Sequence, residues 1–217
     1  MSEHLSLPKQ HPPWELTGQA FILNYWLSPA LLRSFSNCLS ENGRLIHVLL
    51  IRYQATPVGA YDALVLIDHP IVTQQRVSTI PFIFVSTPES VEYGNKCWGL
   101  DKKLANFSWQ DHDQQTSCEI EYQGQHVSLV LEQHKQSPLT YINSHQLPEA
   151  ILNFRQLHQN QRYLFTPKFR GQVAKLKQVT WNTQGGLLPD LNQARYIQSF
   201  YCPSFKLWMP QALIQTK

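Results

Sequence analysis

Residues 87–109 read TPESVEYGNKCWGLDKKLANFSW, and this stretch decides the fold because it joins a helix signal to a strand signal through a pair of lysines. Thr87 suits an N-cap, Pro88 the first helical position and Glu89 the positive end of the helix dipole. The segment then holds helical character to about Trp98, where Gly99 supplies a left-handed C-cap. From Leu104 the residues LANFSW alternate as a strand does. Lys102 and Lys103 therefore fall on the junction, held by a regular element on each side, which is the kind of support a reactive side chain requires.

Outward from this stretch the chain is rich in strands. Towards the N-terminus, Thr17–Trp26 (TGQAFILNYW), the runs 45–53 and 61–67, and the run 77–86 are all β-branched, aromatic or alternating. The loop with Pro57 and Gly59 is short enough to make the middle two antiparallel neighbours. Pro81 predicts an edge position or a bulge for the last of them. A short helix is expected from Pro29, with Leu31, Leu32, Phe35 and Leu39 on one face and Asn42-Gly43 closing it. Towards the C-terminus, 118–122 and 126–132 flank Gln123-Gly124 as a hairpin. Residues 135–161 are His-, Gln- and Asn-rich and predict a loop with one short helix near 148–157. Strand material returns over 162–181 around Gly171, and the tail from Pro189 predicts irregular chain up to 205–208. Pro8, Pro12 and Pro13 predict an extended arm over 1–13, followed by one domain over 14–217. The fold class expected is mainly β with two or three short helices.

Composition narrows the function. The chain has 217 residues, 42% hydrophobic, 15% charged and a formal net charge of +3. That length supports a full core without staples. The positive excess is small and gathers into no stripe, so nucleic acid is not an expected partner. The four cysteines (Cys38, Cys97, Cys118, Cys202) form no CxxC pair and fit no zinc template, and reduced thiols are the simpler reading than two disulfides. No run approaches the roughly 18 apolar residues of a membrane span, and no signal-peptide core appears, so a cytoplasmic location is expected. The nine histidines include no HxxxH or HExxH pair, and no metal site is predicted. No GxSxG, GxGxxG or phosphate loop is present, and no cofactor is implied.

The lysine pair is the remaining candidate for chemistry. A lysine attacks a carbonyl only as the neutral amine. Two ammonium groups about 6 Å apart at an effective dielectric near 20 repel by roughly 2.8 kcal/mol, which is about two pKa units. Adjacent lysines on a strand point to opposite faces, however, so alternation with Ala105, Phe107 and Trp109 selects Lys103, while a break after Gly99 leaves Lys102 available.

The run GNKCWGLDKKLANF at 94–107, with PVGAYDALVLI at 57–67 and STIPFIFVSTPESV between them, resembles the signature of the acetoacetate decarboxylase family. The looser stretches PPWELTGQAFIL and FRGQVAKLKQVTW extend the resemblance over most of the chain. It implies a closed or nearly closed antiparallel β-barrel with peripheral helices, an apolar cavity and a homo-oligomer. It implies Lys102 as the amine that forms a Schiff base with a ketone or keto acid, Lys103 as the group that lowers its pKa, and Tyr61, Ala63 and Trp98 at the substrate. The chain departs from the pattern at four places. Asp101 replaces the proline before the lysine, Ala63 stands where a pocket glutamate is usual, and the second glutamate falls among Val48, Leu49 and Leu50. The pocket arginine aligns near Gln19. Asp62 is turned away from the Tyr61 face by strand alternation. These departures count against acetoacetate as substrate. The expected function is a lysine-dependent lyase, decarboxylase or aldolase-like, on a carbonyl compound with an apolar tail. The alternatives are a non-catalytic pocket for an apolar small molecule or lipid, and a domain used only for assembly.

Overall fold

The computed structural model describes residues 11–35, 43–69, 77–184 and 188–216. In chain order these form β1 (Trp14–Leu27), α1 (Pro29–Phe35), β2 (Arg44–Ala55), β3 (Tyr61–His69), β4 (Thr79–Val85) and α2 (Pro88–Trp98). There follow β5 (Lys103–Leu104), β6 (Asn106–His112), β7 (Gln115–Tyr122), β8 (Gln125–Gln133), β9 (Thr140–Asn143) and α3 (Glu149–Leu152). The chain ends with β10 (Phe154–His158), β11 (Gln161–Phe165), β12 (Lys168–Gln184), β13 (Arg195–Met209) and β14 (Leu213–Thr216).

One large sheet runs β5-β4-β3-β2-β1-β13-β12-β8-β7-β6, with β9 beside β12. Every pairing in it is antiparallel except the short β4–β5 contact. Its two terminal strands, β5 and β6, are separated in the chain by Ala105 alone, whose N–H donates to the Val85 carbonyl at 2.9 Å. The two edges therefore meet at one residue, and the sheet is a nearly closed barrel. The 17-residue β12 makes the fold-over possible: Lys168–Lys175 pair with β13 and Leu176–Gln184 with β8. This carries β8, β7 and β6 across one face of β1–β4.

Strand alternation then sorts the side chains into two clusters. Phe21, Leu23, Val48, Leu50 and Leu64 face the β6–β8 wing, where Ile120, Val127 and Leu129 meet them. Leu16, Ala20, Ile51, Ala63 and Val65 point to the opposite face, with Trp98, Phe154 and Phe165. A second sheet, β10-β11-β14, and α2 lie on that side.

The helix at 88–98 and the strands up to 133 match the sequence reading, with one difference. Thr87 holds the extended N-cap conformation but its hydroxyl makes no cap bond. Two expectations are corrected. Residues 135–161 are not chiefly loop: β9, a 3-10 turn over Ser144–Gln146 and β10 lie there, with α3 reduced to four residues. The tail is not irregular: β13 occupies 15 residues at the centre of the sheet. Its Pro203 sits in a bulge where β1 and β12 both shift register, so no ladder bond is lost there. The helix expected from Pro29 runs to Phe35, and its continuation through Leu39 lies outside the described residues. So do most of the extended arm and Cys38. Cys97, Cys118 and Cys202 are free thiols. Among the described residues no helix is long and apolar enough to cross a membrane.

Candidate active site

On α2 the residues Ser90, Gly94 and Trp98 recur every fourth position, and all three are buried on one helix face. The helix stops because Gly99 adopts φ 62°, with its N–H donating to the Asn95 carbonyl and Leu100 N–H to that of Gly94. The chain turns back along the helix, and Lys102 N–H donates to the Leu100 carbonyl at 2.8 Å. Its side chain lies across Gly94, where a Cβ would overlap the lysine stem. The Lys102 amine donates to Ser90 Oγ at 2.9 Å and stands 5.3 Å from the centre of the Tyr61 ring. Ser90 also lies beside the Tyr61 phenol.

Lys102 is only 6% exposed. Desolvation lowers its pKa to about 7, weakly opposed by the Cys97 thiol nearby. Burial raises Tyr61 to about 12, so its phenol keeps its proton beside the amine. Lys103 is placed differently. Its side chain is 44% exposed and its amine pairs with Asp101 at 2.8 Å, outside the cavity. Burial, and not repulsion from Lys103, is what depresses Lys102. Asp101 is spent on Lys103 and leaves the buried amine unpaired with any carboxylate.

Lys102, Tyr61, Ala63 and Trp98 all line one cavity of about 770 Å³. Trp98 is fixed there by its indole N–H, which donates to the Pro210 carbonyl at 2.7 Å, and by edge-on packing against Trp14. The cavity follows the inner face of the sheet in successive cross-strand rows. Tyr61 and Tyr53 form the row at the lysine. Ala63, Ile51 and Ala20 form the next, and Val65, Leu49 and Ile22 the one after. The following row is polar: His47 lies between Ile67 and Asn24, with the His69 ring 4.3 Å from that of His47. Among the described lining residues the ionisable groups are lysines, histidines, tyrosines and the Cys202 thiol, with no Asp, Glu or Arg. Leu49 is the residue of the 48–50 run that faces the cavity. Gln19 points elsewhere, accepting a hydrogen bond from Tyr201 at 2.9 Å. Asp62 faces the other side, near Arg52 and Trp109. Among the described residues no group of three or more metal-ligating side chains assembles.

Sequence reasoning missed Ser90 and the Asn24–His47–His69 row. Ser90 was legible as the first of three buried positions spaced by four. His47 and His69 share parity with Leu49 and Tyr61 on their strands, a signal that a search for metal spacings passes over.

Solved structures share this architecture. Acetoacetate decarboxylase from Legionella pneumophila subsp. pneumophila str. Philadelphia 1 superposes with a TM-score of 0.70 at 12% identity, covering 98% of this chain and 93% of that one. The chain has the acetoacetate decarboxylase-like fold. An acetoacetate decarboxylase-like enzyme from Sphingomonas wittichii RW1 gives 0.64 at 10% identity over 100% of this chain and 99% of that one. The enduracididine biosynthesis enzyme MppR, in complex with the condensation product of pyruvate and imidazole 4-carboxaldehyde, gives 0.65 at 10% identity over 97% and 92%. No family model and no curated protein matches the sequence.

Proposed function

We propose that the chain is a lysine-dependent enzyme of carbonyl compounds, in which Lys102 condenses with the ketone of an apolar substrate to form a Schiff base. The observation that carries this reading is a lysine amine buried in an apolar cavity and, among the described residues, paired with no carboxylate. With a pKa of about 7, a large fraction of the amine is neutral and nucleophilic at physiological pH. Attack on the ketone carbon and loss of water leave a protonated imine. With a β-keto acid, the bond to the carboxyl carbon then breaks and its electron pair moves to the imine nitrogen as an enamine. Carbon dioxide leaves, a proton adds to the enamine carbon, and water releases the shortened ketone and the free amine. Tyr61 and Ser90 stand at the amine as the hydroxyl groups that pass protons. The decarboxylases and the pyruvate condensation product bound to MppR support this reaction class by analogy of fold.

A second reading, an apolar carbonyl binder without turnover, is favoured by the lack of Asp, Glu or Arg among the described lining residues. No guanidinium stands there to clamp a substrate carboxylate, and apart from Lys102 the one lysine among the described lining residues is Lys175, in the third cross-strand row from the lysine end. The test is borohydride trapping with ketones and β-keto acids of increasing chain length, with peptide mapping, alongside carbon dioxide release. The expected adduct sits on Lys102, disappears in Lys102→Ala and forms with an apparent pKa near 7. An adduct without carbon dioxide release selects the binder. No adduct from folded protein across the panel rejects the Schiff base and leaves the non-catalytic pocket.

A further inference from the structure

The polar row in the cavity has no part in the lysine chemistry. Asn24, His47 and His69 lie on three adjacent strands, β1, β2 and β3, separated from Lys102 by two rows that are apolar on those strands, the second ending on β12 in Lys175. Along β3 the distance from Tyr61 to Ile67, the neighbour of His47, is six residues, or about 20 Å. The row is thus remote from the amine yet within the same cavity.

Its hydrogen-bonding character follows from its partners. Asn24 Nδ2 donates to the Gln198 carbonyl at 2.7 Å. A backbone carbonyl only accepts, so the amide nitrogen must face it and Oδ1 must face the other way. Neither Asn24 Oδ1 nor His47 Nε2 has a partner among the described residues, and both atoms are buried. His69 Nδ1 lies 2.6 Å from Ser78 Oγ, while that hydroxyl donates to the Ile151 carbonyl at 3.2 Å. Ser78 therefore accepts from His69, and the Nδ1–H tautomer leaves Nε2 as a lone pair. Burial lowers His47 to about 4 and His69 to about 3, so both rings are neutral near pH 7. Asn24 Oδ1 and His69 Nε2 are acceptors, His47 Nε2 is an unpartnered nitrogen whose role its tautomer sets, and none of the three side chains carries positive charge near pH 7. A buried acceptor left without a donor is costly, and a ligand that supplies one gains what a plain methyl end forgoes.

We propose that the Asn24–His47–His69 row is a second recognition point, and that the ligand is an apolar chain with a carbonyl at Lys102 and a hydroxyl about 20 Å away that donates to this row. This rests on the carbonyl reading of Lys102 for the orientation of the ligand. The two apolar rows contact the chain between the two polar ends. Each methylene that enters them tightens binding by roughly fourfold.

The probes are two matched series, 2-alkanones and the same 2-alkanones bearing a terminal hydroxyl, with binding measured calorimetrically and imine formation by borohydride trapping. In the wild-type protein the hydroxyl is expected to improve affinity about tenfold, and only for chains that carry it about 20 Å from the carbonyl. Asn24→Leu should reduce the ratio between paired probes to below about twofold. Lys102→Met should abolish trapping and keep the hydroxyl preference. A hydroxyl that improves binding at no chain length overturns the proposal, even if Lys102 is trapped. A hydroxyl preference without trapping upholds the second recognition point and rejects the imine. Should Asn24→Leu not fold, the chain-length scan in wild-type protein decides alone.

Discussion

Lys102 has a thermodynamic signature independent of any substrate. Its pKa is about 7 in the folded chain and 10.5 as an ordinary lysine, so folding is penalised wherever the unfolded chain holds the proton. Below about pH 7 both states are protonated and the penalty, on the order of 5 kcal/mol, is complete. Between about 7 and 10.5 only the unfolded state holds the proton, and native stability rises with pH. Above that range neither state holds it, and the penalty is gone. Lys102→Met removes the titration and loses the bond to Ser90, worth about 1 kcal/mol. The variant should gain about 4 kcal/mol at pH 6, or roughly 8–16 °C in Tm, with the gain shrinking steadily up to pH 10. Paired thermal melts at several pH values check this, and a gap independent of pH would contradict the buried amine. Gly94 tests the same contact from the helix. Alanine gains about 1 kcal/mol in helix propensity, but its Cβ overlaps the lysine stem and must displace it. Displacement wins: Gly94→Ala should lose about 1–3 kcal/mol in denaturant titration and most of the trapping at Lys102.

At the scale of elements, the decisive piece is the turn from α2 into β5 and β6. Gly99 ends the helix at φ 62°, and the Tyr163 ring of β11 rests where a side chain would begin. Gly99→Ala therefore combines left-handed strain of about 1–2 kcal/mol with overlap against Tyr163. A drop in Tm together with weaker trapping is expected, because the turn that aims Lys102 and the packing of β11 fail together. An unchanged melt would mean that the turn relaxes freely. This turn was legible in the sequence because Thr87, Pro88 and Gly99 each carry a local conformational preference. β13 was not: it has Ser and Gln at interior positions, and Pro203 reads as a break until two neighbouring strands bulge around it. β10 and β11 were hidden in polar sequence, since their hairpin turns on Gln159 and Asn160 at φ 48° and 63°, where glycine is the usual signal. The motif singled out the lysine pair, and the structure places Lys102 in the cavity and Lys103 outside it. Whether adjacent lysines repel inside a site or diverge depends on the phase of the strand after Gly99, and Asp101 draws Lys103 outward. Local signals found the junction. Pairings distant in sequence set which face it presents.

For the whole molecule, folding one sheet over itself commits its two faces to different tasks. The face towards the β6–β8 wing is filled. Arg52 of β2 adds a polar clasp there, stacking 3.8 Å over Trp109 and bonding to Asp111 at 2.7 Å. The opposite face holds the cavity and forgoes the packing contacts that a closed core would make. Such a molecule should be stabilised by apolar ligands that fill it and by substitutions that fill it from the wall. Ile22 is suited to the second test because it is half-buried, lies in the third row from the lysine end and touches neither polar group. Ile22→Phe adds apolar volume into open space without altering Lys102, Ser90 or Tyr61. Stability should hold or rise by up to about 1 kcal/mol, since the added carbons leave water without displacing a packed neighbour. Short ketones that end before Ile22 should be trapped at Lys102 as in wild type. Longer ketones should lose roughly 0.8 kcal/mol of binding for each methylene denied a place beyond the new ring. Calorimetry over a chain-length series would show affinity climbing with length in wild type and levelling off early in the variant. If both climbed in parallel, the ligand would not run along these rows, and the cavity would have to receive its chain from another direction.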